Sequence, residues 1–398
     1  MVDINKNQPS QDWIRHLQQR FPCEQEIDRV LTRKLQRRAG PGYTPVTLDE
    51  LVKGSEALIG STVRDSFRIT DARWLSGGAS KLQMAFQLDW NSPDHGRTST
   101  PLVLRMEPSE SIAESSRLRE FQVIKAIGGE VPVPEAFRVD AEGTFLPYPA
   151  IIYGFAEGVT KPSQSSSGVS GVGTFFPPHL RQPLGAQFVE HLARIHTFDW
   201  AGADLGAFDK PAPGTQAVEW ELNHWERVWE EDANEDVPLM RLAMAWLRSN
   251  MPPVDHVSLL HGDYRTGNFL FTEHDGRISA WLDWELASLG DRHSDIAWAT
   301  NTQFGQRTEG SDTFLVGGFM SREAFFAAYE KATGLPVIPE TLRFYDILGL
   351  YKLVVLCLGT GYRAPRNGKT HQDVLVAWLV GITYPMLDQL RMKLEEVL

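Results

Sequence analysis

Apolar residues recur with two different spacings along the chain, and the change of spacing divides the chain into parts. Between residues 21 and 38 the apolar positions fall three or four apart, which predicts an amphipathic helix ended by AGPG at 39–42. From residue 67 apolar and polar residues alternate in FRITDARWL and KLQMAFQLD, on either side of SGGAS, which predicts a β-hairpin with a glycine-rich turn. The chain therefore begins with an accessory helix and continues into a sheet.

The segments after the hairpin complete a small lobe of mixed secondary structure. PLVLRM at 101–106 is a short apolar strand, SSRLREFQVIKAIGG predicts a helix, and PAIIYGF at 149–155 is another apolar strand. PSQSSSGVSGVG at 162–173 predicts a mobile loop, either a plain linker or a lid over a substrate. Strands with one helix among them indicate an α+β lobe.

Helical spacing dominates the rest of the chain. The predicted helices lie near 184–198, 216–230, 238–249, 321–333, 340–360 and 372–396, around a strand-rich island at 257–283. The second lobe is therefore expected to be mostly helical.

The composition is that of a globular protein, with 398 residues, 42% of them hydrophobic and 23% charged, enough for more than one domain. A net charge of −12 argues against nucleic acid or an anionic membrane as the main partner, since both are polyanions. Cys23 and Cys357 alone cannot form a disulfide framework or a zinc cluster, which favours the reducing cytoplasm. The longest apolar stretch, VLVAWLVGITYPML, is 14 residues long and contains Pro385, so no membrane span is expected.

HGDYRTGN at 261–268 and LDWE at 282–285 place polar residues between apolar strands. Because the apolar segments would be buried, we expect Asp263, Asn268 and Asp283 to converge at one edge of a small hairpin. Carboxylate and amide oxygens suit a hard cation such as Mg²⁺, which keeps positions for phosphate oxygens. Each of these residues taken alone is explained equally well as a turn former.

Taken together, His-x-Asp, four residues, Asn, and then apolar-Asp-aromatic have the layout of a kinase catalytic loop and its metal-binding Asp. The chain resembles the aminoglycoside phosphotransferase family, kinase-like enzymes that phosphorylate small molecules, through HGDYRTGN, LDWE and GDRHSDIAW. The resemblance continues in LSGGASK, VPVPEAF, IIYGFAEG and LARIHTFD. It implies an α+β, bilobal protein-kinase-like fold, in which a small N-lobe has an antiparallel sheet and one main helix and a larger C-lobe is mostly helical.

The resemblance also implies ATP as the phosphoryl donor and Mg²⁺ as its metal ion. Asp263 would be the catalytic base that accepts or orients the proton of an acceptor hydroxyl, and Asn268 and Asp283 would be catalytic residues that bind the metal. Positioning and charge neutralisation dominate this chemistry, so few residues suffice. His261 would hold the loop in place, and Asp295 would cap or brace it.

The implied nucleotide site lies in the small lobe, where backbone amides of the glycine-rich turn could approach phosphates closely. The matching kinase strand carries a lysine paired to a helix glutamate. This chain has Arg105, which can bind phosphate in a bidentate way, with Glu120 as its expected partner and Glu285 as a supporting group beside the metal site. The backbone from Tyr153 to Phe155 would meet the adenine. The implied cofactor-binding residues are Ser76, Gly77, Gly78, Ser80, Arg105, Glu120, Tyr153 and Phe155.

The acceptor is expected against the helical lobe, between NHWERVWEED at 223–232 and RFYDILGLYKLVVLCLG at 343–359. Trp225 and Trp229 share one helix face, a pattern found in cores as well as on ligand surfaces. A polycationic aminoglycoside would need a pocket dense in carboxylates. A hydroxyacyl thioester such as a hydroxyacyl-CoA, a choline-like amine alcohol and a macrolide are alternatives, and so is a nucleotide-binding pseudokinase with a regulatory role.

We therefore expect three parts: an N-terminal helical extension at 1–60, a nucleotide-binding N-lobe at 61–160, and a C-lobe at 161–398 with the catalytic loop and the acceptor site. The expected partner is a hydroxylated small-molecule substrate, without nucleic acid or membrane. We expect the protein to be a monomer or a homodimer in the cytoplasm.

Overall fold

The computed structural model of the protein describes residues 5–75, 81–163, 174–307 and 313–398, apart from the side chain of residue 373. The glycine-rich turn predicted at 76–80 and residues 164–173 of the predicted mobile loop lie outside the described residues.

Three helices precede the sheet: α1 (Gln11–Arg20), α2 (Gln25–Arg38) and α3 (Leu48–Gly60). The predicted amphipathic helix is α2, whereas α1 and α3 were not predicted. The start of α3 is fixed by a capping box, in which Thr47 and Glu50 satisfy each other's backbone N–H groups.

The N-lobe contains a five-stranded antiparallel sheet with the strand order β1-β2-β3-β5-β4. Its strands are β1 (Arg68–Trp74), β2 (Leu82–Ser92), β3 (Gly96–Met106), β4 (Ala136–Asp140) and β5 (Ala150–Gly154). Pairing of β1 with β2 confirms the predicted hairpin. In the ladder between β3 and β5, Arg105 lies opposite Ile151, which places the cation of β3 near the end of the central strand.

The main helix of the N-lobe is α4 (Arg117–Ile127), whose N-cap Ser116 accepts a hydrogen bond from the backbone of Arg119. The helix contacts β4 and β5 on one side and the 3-10 turn Trp284–Leu286 of the C-lobe on the other. It therefore links the sheet to the segment that carries Asp283.

The C-lobe is mostly helical, as the sequence predicts. Its helices are α5 (Pro178–His196), α6 (Gln216–Asp232), α7 (Pro238–Ser249), α8 (His293–Ala299), α9 (Arg322–Thr333), α10 (Pro339–Val354), α11 (Gly361–Arg366), α12 (Asp373–Gly381) and α13 (Thr383–Glu395). A π-helical segment, Val355–Thr360, continues α10. The single helix expected over 372–396 is two helices that meet at Ile382.

Short strands pair in two-stranded ribbons within the C-lobe. They are β6 (Val257–Leu260), β7 (Phe269–Thr272), β8 (Arg277–Trp281), β9 (Ser288–Asp291), β10 (Gln306–Arg307) and β11 (Phe314–Leu315). β7 and β8 form a hairpin, while β6 pairs with β9. The strands on either side of the catalytic loop therefore belong to different ribbons, and the expectation of one small hairpin was incomplete.

This is the predicted α+β, bilobal kinase-like architecture. One apolar core fills the C-lobe and reaches α4 and Leu31 of α2, and a second core lies under the N-lobe sheet. Trp225 and Tyr345 are buried in the first core, so their side chains serve mainly in packing. No helix within the described ranges is long and apolar enough to cross a membrane.

Helix α2 is tied to both lobes by buried ion pairs. The ammonium of Lys34 lies 2.6 Å from Glu231 and 3.1 Å from Asp232, both at the end of α6. The guanidinium of Arg38 lies 2.6 Å from Asp232 and 3.0 Å from Glu110, which follows β3. All of these side chains are at least 99% buried, so loss of one partner leaves a buried charge poorly compensated.

We predict that Asp232→Asn lowers the free energy of unfolding by about 3 kcal/mol or more, since breaking a buried pair costs about that much. Burial alone would raise the pKa of Asp232, but the cations of Lys34 and Arg38 hold it below its ordinary value. Its contribution to stability is therefore present above the unfolded-state pKa of about 3.9 and is lost as the pH falls.

Denaturant unfolding of Asp232→Asn and wild type at neutral and acidic pH measures both effects. The control is Asp236→Asn, which removes an exposed carboxylate paired with Arg241 and is expected to change stability little. Equal stability of Asp232→Asn and wild type would contradict the prediction.

Candidate active site

The catalytic loop predicted at 261–268 begins directly after β6. Gly262 has a φ of +81°, and a Cβ there would lie 2.3 Å from the carbonyl oxygen of Leu286. Only glycine fits such a position. The loop is thereby packed against the segment that follows Asp283.

His261 and Asp295 hold the first turn of this loop. The carboxylate of Asp295 accepts hydrogen bonds from the backbone N–H groups of His261 (2.7 Å) and Gly262 (2.8 Å), and lies 3.2 Å from Nε2 of His196. Burial alone would raise the pKa of Asp295, but these contacts lower it, so the carboxylate is ionised. The bracing role expected of Asp295 is confirmed.

His261 acts as a neutral, structural side chain. Burial lowers its pKa. Its Nδ1 accepts a hydrogen bond from the backbone N–H of Asp263 at 3.3 Å, and its Nε2 lies 3.0 Å from the carbonyl oxygen of Leu282, which can only accept. These partners place the ring proton on Nε2. The ring therefore joins the residue before Asp283 to the backbone of Asp263.

The carboxylate of Asp263 receives three hydrogen bonds and is 20% exposed. Asn268 donates from Nδ2 to Oδ2 at 2.6 Å, Arg265 donates from Nε to Oδ1 at 2.9 Å, and the indole of Trp298 donates from Nε1 to Oδ1 at 2.6 Å. Asn268 is therefore beside Asp263, as the sequence predicts. Sequence reasoning missed Arg265 and Trp298, although both lie within the quoted motifs.

Asp283 faces the N-lobe through Arg105. The Nη2 atom of Arg105 lies 2.5 Å from the carboxylate of Asp283 and 3.2 Å from that of Glu285, and its Nη1 donates to Glu120 at 2.9 Å. The expected pair of Arg105 with Glu120 is confirmed. Asp283 has a left-handed backbone, with φ +60° and ψ +44°, which a short polar side chain tolerates better than a branched one.

Two further cations, Lys81 and Arg117, join this cluster and were missed by sequence reasoning. Lys81 lies 3.5 Å and Arg117 3.0 Å from the carboxylate of Glu285. Burial alone would raise the pKa of Glu285, but Lys81, Arg105 and Arg117 lower it. Burial likewise disfavours the charge of Arg105, yet the carboxylates of Asp283, Glu285 and Glu120 hold its pKa well above its ordinary value. Glu285 and Arg105 are therefore both charged.

The residues expected to bind Mg²⁺ fit that ion by their chemistry. Asp283 offers a carboxylate that is 38% exposed, and Asn268 offers an amide oxygen, because its Nδ2 is occupied by Asp263. No group of three or more His, Cys, Asp or Glu in the described parts of the chain is arranged to hold a metal ion. A metal here would take its other ligands from phosphate and water, as Mg²⁺ commonly does.

The residues expected to bind the nucleotide are only partly described. Ser76, Gly77, Gly78 and Ser80 lie outside the described residues. Tyr153 on β5 is half-buried, and Phe155, directly after the strand, is 38% exposed.

The backbone N–H groups at the end of β5 already have partners. Gly154 donates to Glu135 at 2.8 Å, and Phe155 donates to Pro101 at 2.9 Å. An adenine would therefore meet carbonyl groups here, or amides further along the chain.

A cavity of about 60 Å³ lies between α2, α6, α10 and the catalytic loop. It is bordered by both helices that were expected to flank the acceptor and by Gly262. Pockets for drug-sized ligands typically have volumes of about 300–1,000 Å³. This cavity is therefore too small for an aminoglycoside.

The charges that line the cavity are largely paired with one another. Glu24 lies 3.0 Å from Arg119, and Glu221 lies 3.0 Å from Lys352. Burial lowers the pKa of His224 to about 3, so its ring is neutral. These two carboxylates are thus already neutralised by protein cations, unlike those of a pocket built for a polycation.

Comparison with known proteins identifies the family. The model of APH, the phosphotransferase enzyme family, matches residues 75–345, which is more than half of the chain and includes the catalytic loop, Asp283 and Arg105. The chain belongs to this family, as the sequence motifs predicted. It is thus a phosphotransferase-family protein with a kinase-like fold.

Two of the curated relatives are named as acyl-CoA dehydrogenase family members rather than as phosphotransferases. Acyl-CoA dehydrogenase family member 10 of Mus musculus is 24% identical over 292 residues, covering 68% of this chain and 26% of the relative. Acyl-CoA dehydrogenase family member 11 of Pongo abelii is 26% identical over 280 residues, covering 68% of this chain and 35% of the relative. The chain thus matches about a quarter to a third of the length of these relatives.

Similar solved structures support the fold. A protein from Ralstonia eutropha JMP134 described as an aminoglycoside phosphotransferase has a TM-score of 0.61 at 22% identity, covering 86% of this chain and 98% of its own. Macrolide 2'-phosphotransferase type I has a TM-score of 0.53 at 18% identity, with coverages of 84% and 98%. The GDP complex of aminoglycoside 2'-phosphotransferase-IIIa has a TM-score of 0.51 at 15% identity, with coverages of 86% and 98%. At these identities the likeness concerns the fold alone.

We predict that Trp298→Phe lowers kcat about tenfold, because it removes a hydrogen bond to a charged group, worth about 1.5–3 kcal/mol, while keeping most of the aromatic packing. Steady-state ATP turnover measures the loss. The control is Trp200→Phe, since the Trp200 indole also donates a hydrogen bond, at 2.8 Å to the carbonyl of Val257, away from Asp263. An equal effect of the two substitutions would show that Trp298 acts only through packing.

Proposed function

We propose that the protein catalyses magnesium-dependent transfer of the γ-phosphoryl group of ATP to a hydroxyl group of a small-molecule acceptor. The observation that carries this proposal is the presentation of Asp263. Its partly exposed carboxylate is fixed by Asn268, Arg265 and Trp298, in a loop joined to the Asp283 segment through His261. Such fixed positioning is the main requirement of phosphoryl transfer.

In the proposed reaction a bond forms between the acceptor oxygen and the γ-phosphorus, and the bond between that phosphorus and the β,γ-bridging oxygen breaks. Asp263 orients the acceptor hydroxyl and receives its proton as the new bond forms. Asn268 and Asp283 would hold the Mg²⁺, which would supply neutralisation of charge on the phosphates. Arg105 would contact the phosphates, with its guanidinium held in place by Glu120 and Glu285.

The nucleotide is proposed to lie between the glycine-rich turn and β5. Backbone groups of Ser76, Gly77, Gly78 and Ser80 would approach the phosphates. The adenine would lie against the chain from Tyr153 to Phe155. ATP is the proposed donor on the kinase-like layout of the motifs, and the GDP bound to one structural neighbour makes GTP the donor to test beside it.

The acceptor is proposed to be a hydroxylated small molecule, with an aminoglycoside as the first candidate class. Such a polycation would have to bind outside the cavity beside Gly262, because that cavity is small and its carboxylates Glu24 and Glu221 are already paired. Relatives named as acyl-CoA dehydrogenases favour a hydroxyacyl thioester as a second candidate. Incubation with ATP or GTP and a panel of hydroxyacyl-CoA thioesters, choline-like alcohols, macrolides and aminoglycosides, read by the mass gain of one phosphate, separates these classes.

We predict that Asp263→Asn lowers acceptor phosphorylation by about 10²-fold or more, the usual contribution of a positioned base, and leaves nucleotide affinity nearly intact. Single-turnover transfer and isothermal titration with ATP measure the two properties. Asp275→Asn, which removes an exposed carboxylate from the turn between β7 and β8, is the matched control. Unchanged turnover in Asp263→Asn would sink the assignment of the base, and no transfer by wild type to any acceptor would favour the pseudokinase alternative.

We predict that Asp283→Ala abolishes the magnesium-dependent part of the thermal stabilisation by ATP. A ligand present at about 100 times its Kd stabilises the folded state by about 2.7 kcal/mol, so the loss is readily measured by thermal shift with and without Mg²⁺. Asp71→Ala is the control, because Asp71 also has a left-handed backbone, with φ +52°, and is exposed on β1. A shift equal to that of wild type in Asp283→Ala would mean that the metal ligand lies elsewhere.

A further inference from the structure

Arg265 places a positive charge directly beside the carboxylate that faces the acceptor. Its Nε donates to Oδ1 of Asp263 at 2.9 Å, and the side chain is 21% exposed. The guanidinium therefore lies next to the carboxylate that the proposed acceptor hydroxyl must approach. Neither the family match nor the motif assigns a role to this residue.

The guanidinium of Arg265 is held in place by its contacts and has N–H groups that meet no acceptor among the described residues. Its Nη1 donates to the carbonyl of Thr266 at 3.3 Å, and its central carbon lies 5.2 Å from the ring centroid of Phe304. The Phe304 ring packs in turn on Trp298, at 5.1 Å between centroids. Within the described residues two of the five N–H groups of Arg265 have acceptors. A fixed planar fork with free N–H groups is suited to carboxylate and phosphate oxygens.

We infer that Arg265 selects acceptors that carry an acidic group, a carboxylate or a phosphate, within reach of the hydroxyl that is phosphorylated. The inference rests on the proposed function, and it names the chemical class of the acceptor. The free N–H groups of Arg265 bind the acidic group while Asp263 receives the hydroxyl proton. A polycationic acceptor would be repelled by the same guanidinium.

Binding of an acidic group by Arg265 can be distinguished by experiment from a role in which Arg265 only orients Asp263. If Arg265 only oriented Asp263, its loss would slow transfer to every acceptor by the same factor. If Arg265 also binds the acidic group, its loss raises KM for acidic acceptors specifically. The ratio of kcat/KM between an acidic acceptor and its neutral counterpart cancels the shared effect and isolates the selectivity.

The experiment compares matched acceptors with wild type, Arg265→Gln and Arg265→Lys. The panel pairs hydroxybutyrate with butanediol and glycerol phosphate with glycerol, and it includes kanamycin as a polycation. The control is Arg322→Gln, because Arg322 likewise pairs with a carboxylate, Asp346 at 3.0 Å, and packs on Phe326 at 5.5 Å, but lies on α9. Thermal melting of each variant establishes that it is folded.

In wild type the acidic member of at least one pair is expected to have the higher kcat/KM. In Arg265→Gln the ratio of acidic to neutral kcat/KM falls about 10- to 100-fold, the range expected for loss of a hydrogen bond to a charged group. Arg265→Lys, which keeps the charge without the planar fork, retains part of the ratio, and Arg322→Gln retains all of it. The pair with the larger loss shows whether the bound anion is a carboxylate or a phosphate.

Two results would overturn the inference while leaving the proposed function standing. One is a wild-type preference for neutral alcohols or for kanamycin. The other is an unchanged ratio in Arg265→Gln, even with kcat lowered for all acceptors, which would confine Arg265 to supporting Asp263. Absence of transfer to every alcohol tested would instead contradict the proposed function, and the inference would fall with it.

Discussion

Arg105 carries a buried positive charge that three carboxylates share, and these carboxylates come from two lobes. Glu120 belongs to α4 of the N-lobe, whereas Asp283 and Glu285 follow β8 of the C-lobe. A buried guanidinium without these partners would be costly, and the carboxylates without it would repel each other. The relative placement of β3, α4 and the Asp283 segment therefore depends on this charge, as does the contact between the lobes at the candidate metal site.

The catalytic loop is held in place from below by two buried side chains, the ionised Asp295 and the neutral His261. Asp295 accepts two backbone N–H groups of the loop, and His261 ties the backbone of Asp263 to that of Leu282. Because these groups are buried and hydrogen-bonded, the loop has little freedom to lose on binding a substrate. Asp283 and Asp263 are thus positioned by different contacts. Asp283 is held by the cation of Arg105, and Asp263 is held by its hydrogen-bonded loop.

Local patterns predicted the parts of the site that depend on spacing in the chain. The five-residue interval from Asp263 to Asn268 and the position of Asp283 after an apolar strand predict their neighbourhood, whereas Arg105 beside Glu120 was implied by the resemblance to the kinase pattern. Trp298 could not be found in this way, because the direction of its indole depends on how the short helix α8 packs under the loop. Pairing of β6 with β9 was missed for a related reason: it joins residues about 30 positions apart, and a strand pattern does not specify its partner.

The ion pairs of α2 show that the boundary of the family match differs from the boundary of the region held together by buried contacts. The family match begins at residue 75, yet the cations that neutralise Asp232 and Glu110 are supplied by Lys34 and Arg38. A chain trimmed to the matched region would contain buried carboxylates facing one another across the lobe junction, with the apolar surface under Leu31 exposed to water. The region that the family model matches is therefore shorter than the region joined by these buried ion pairs and this apolar core, and α2 contributes to the stability of both lobes.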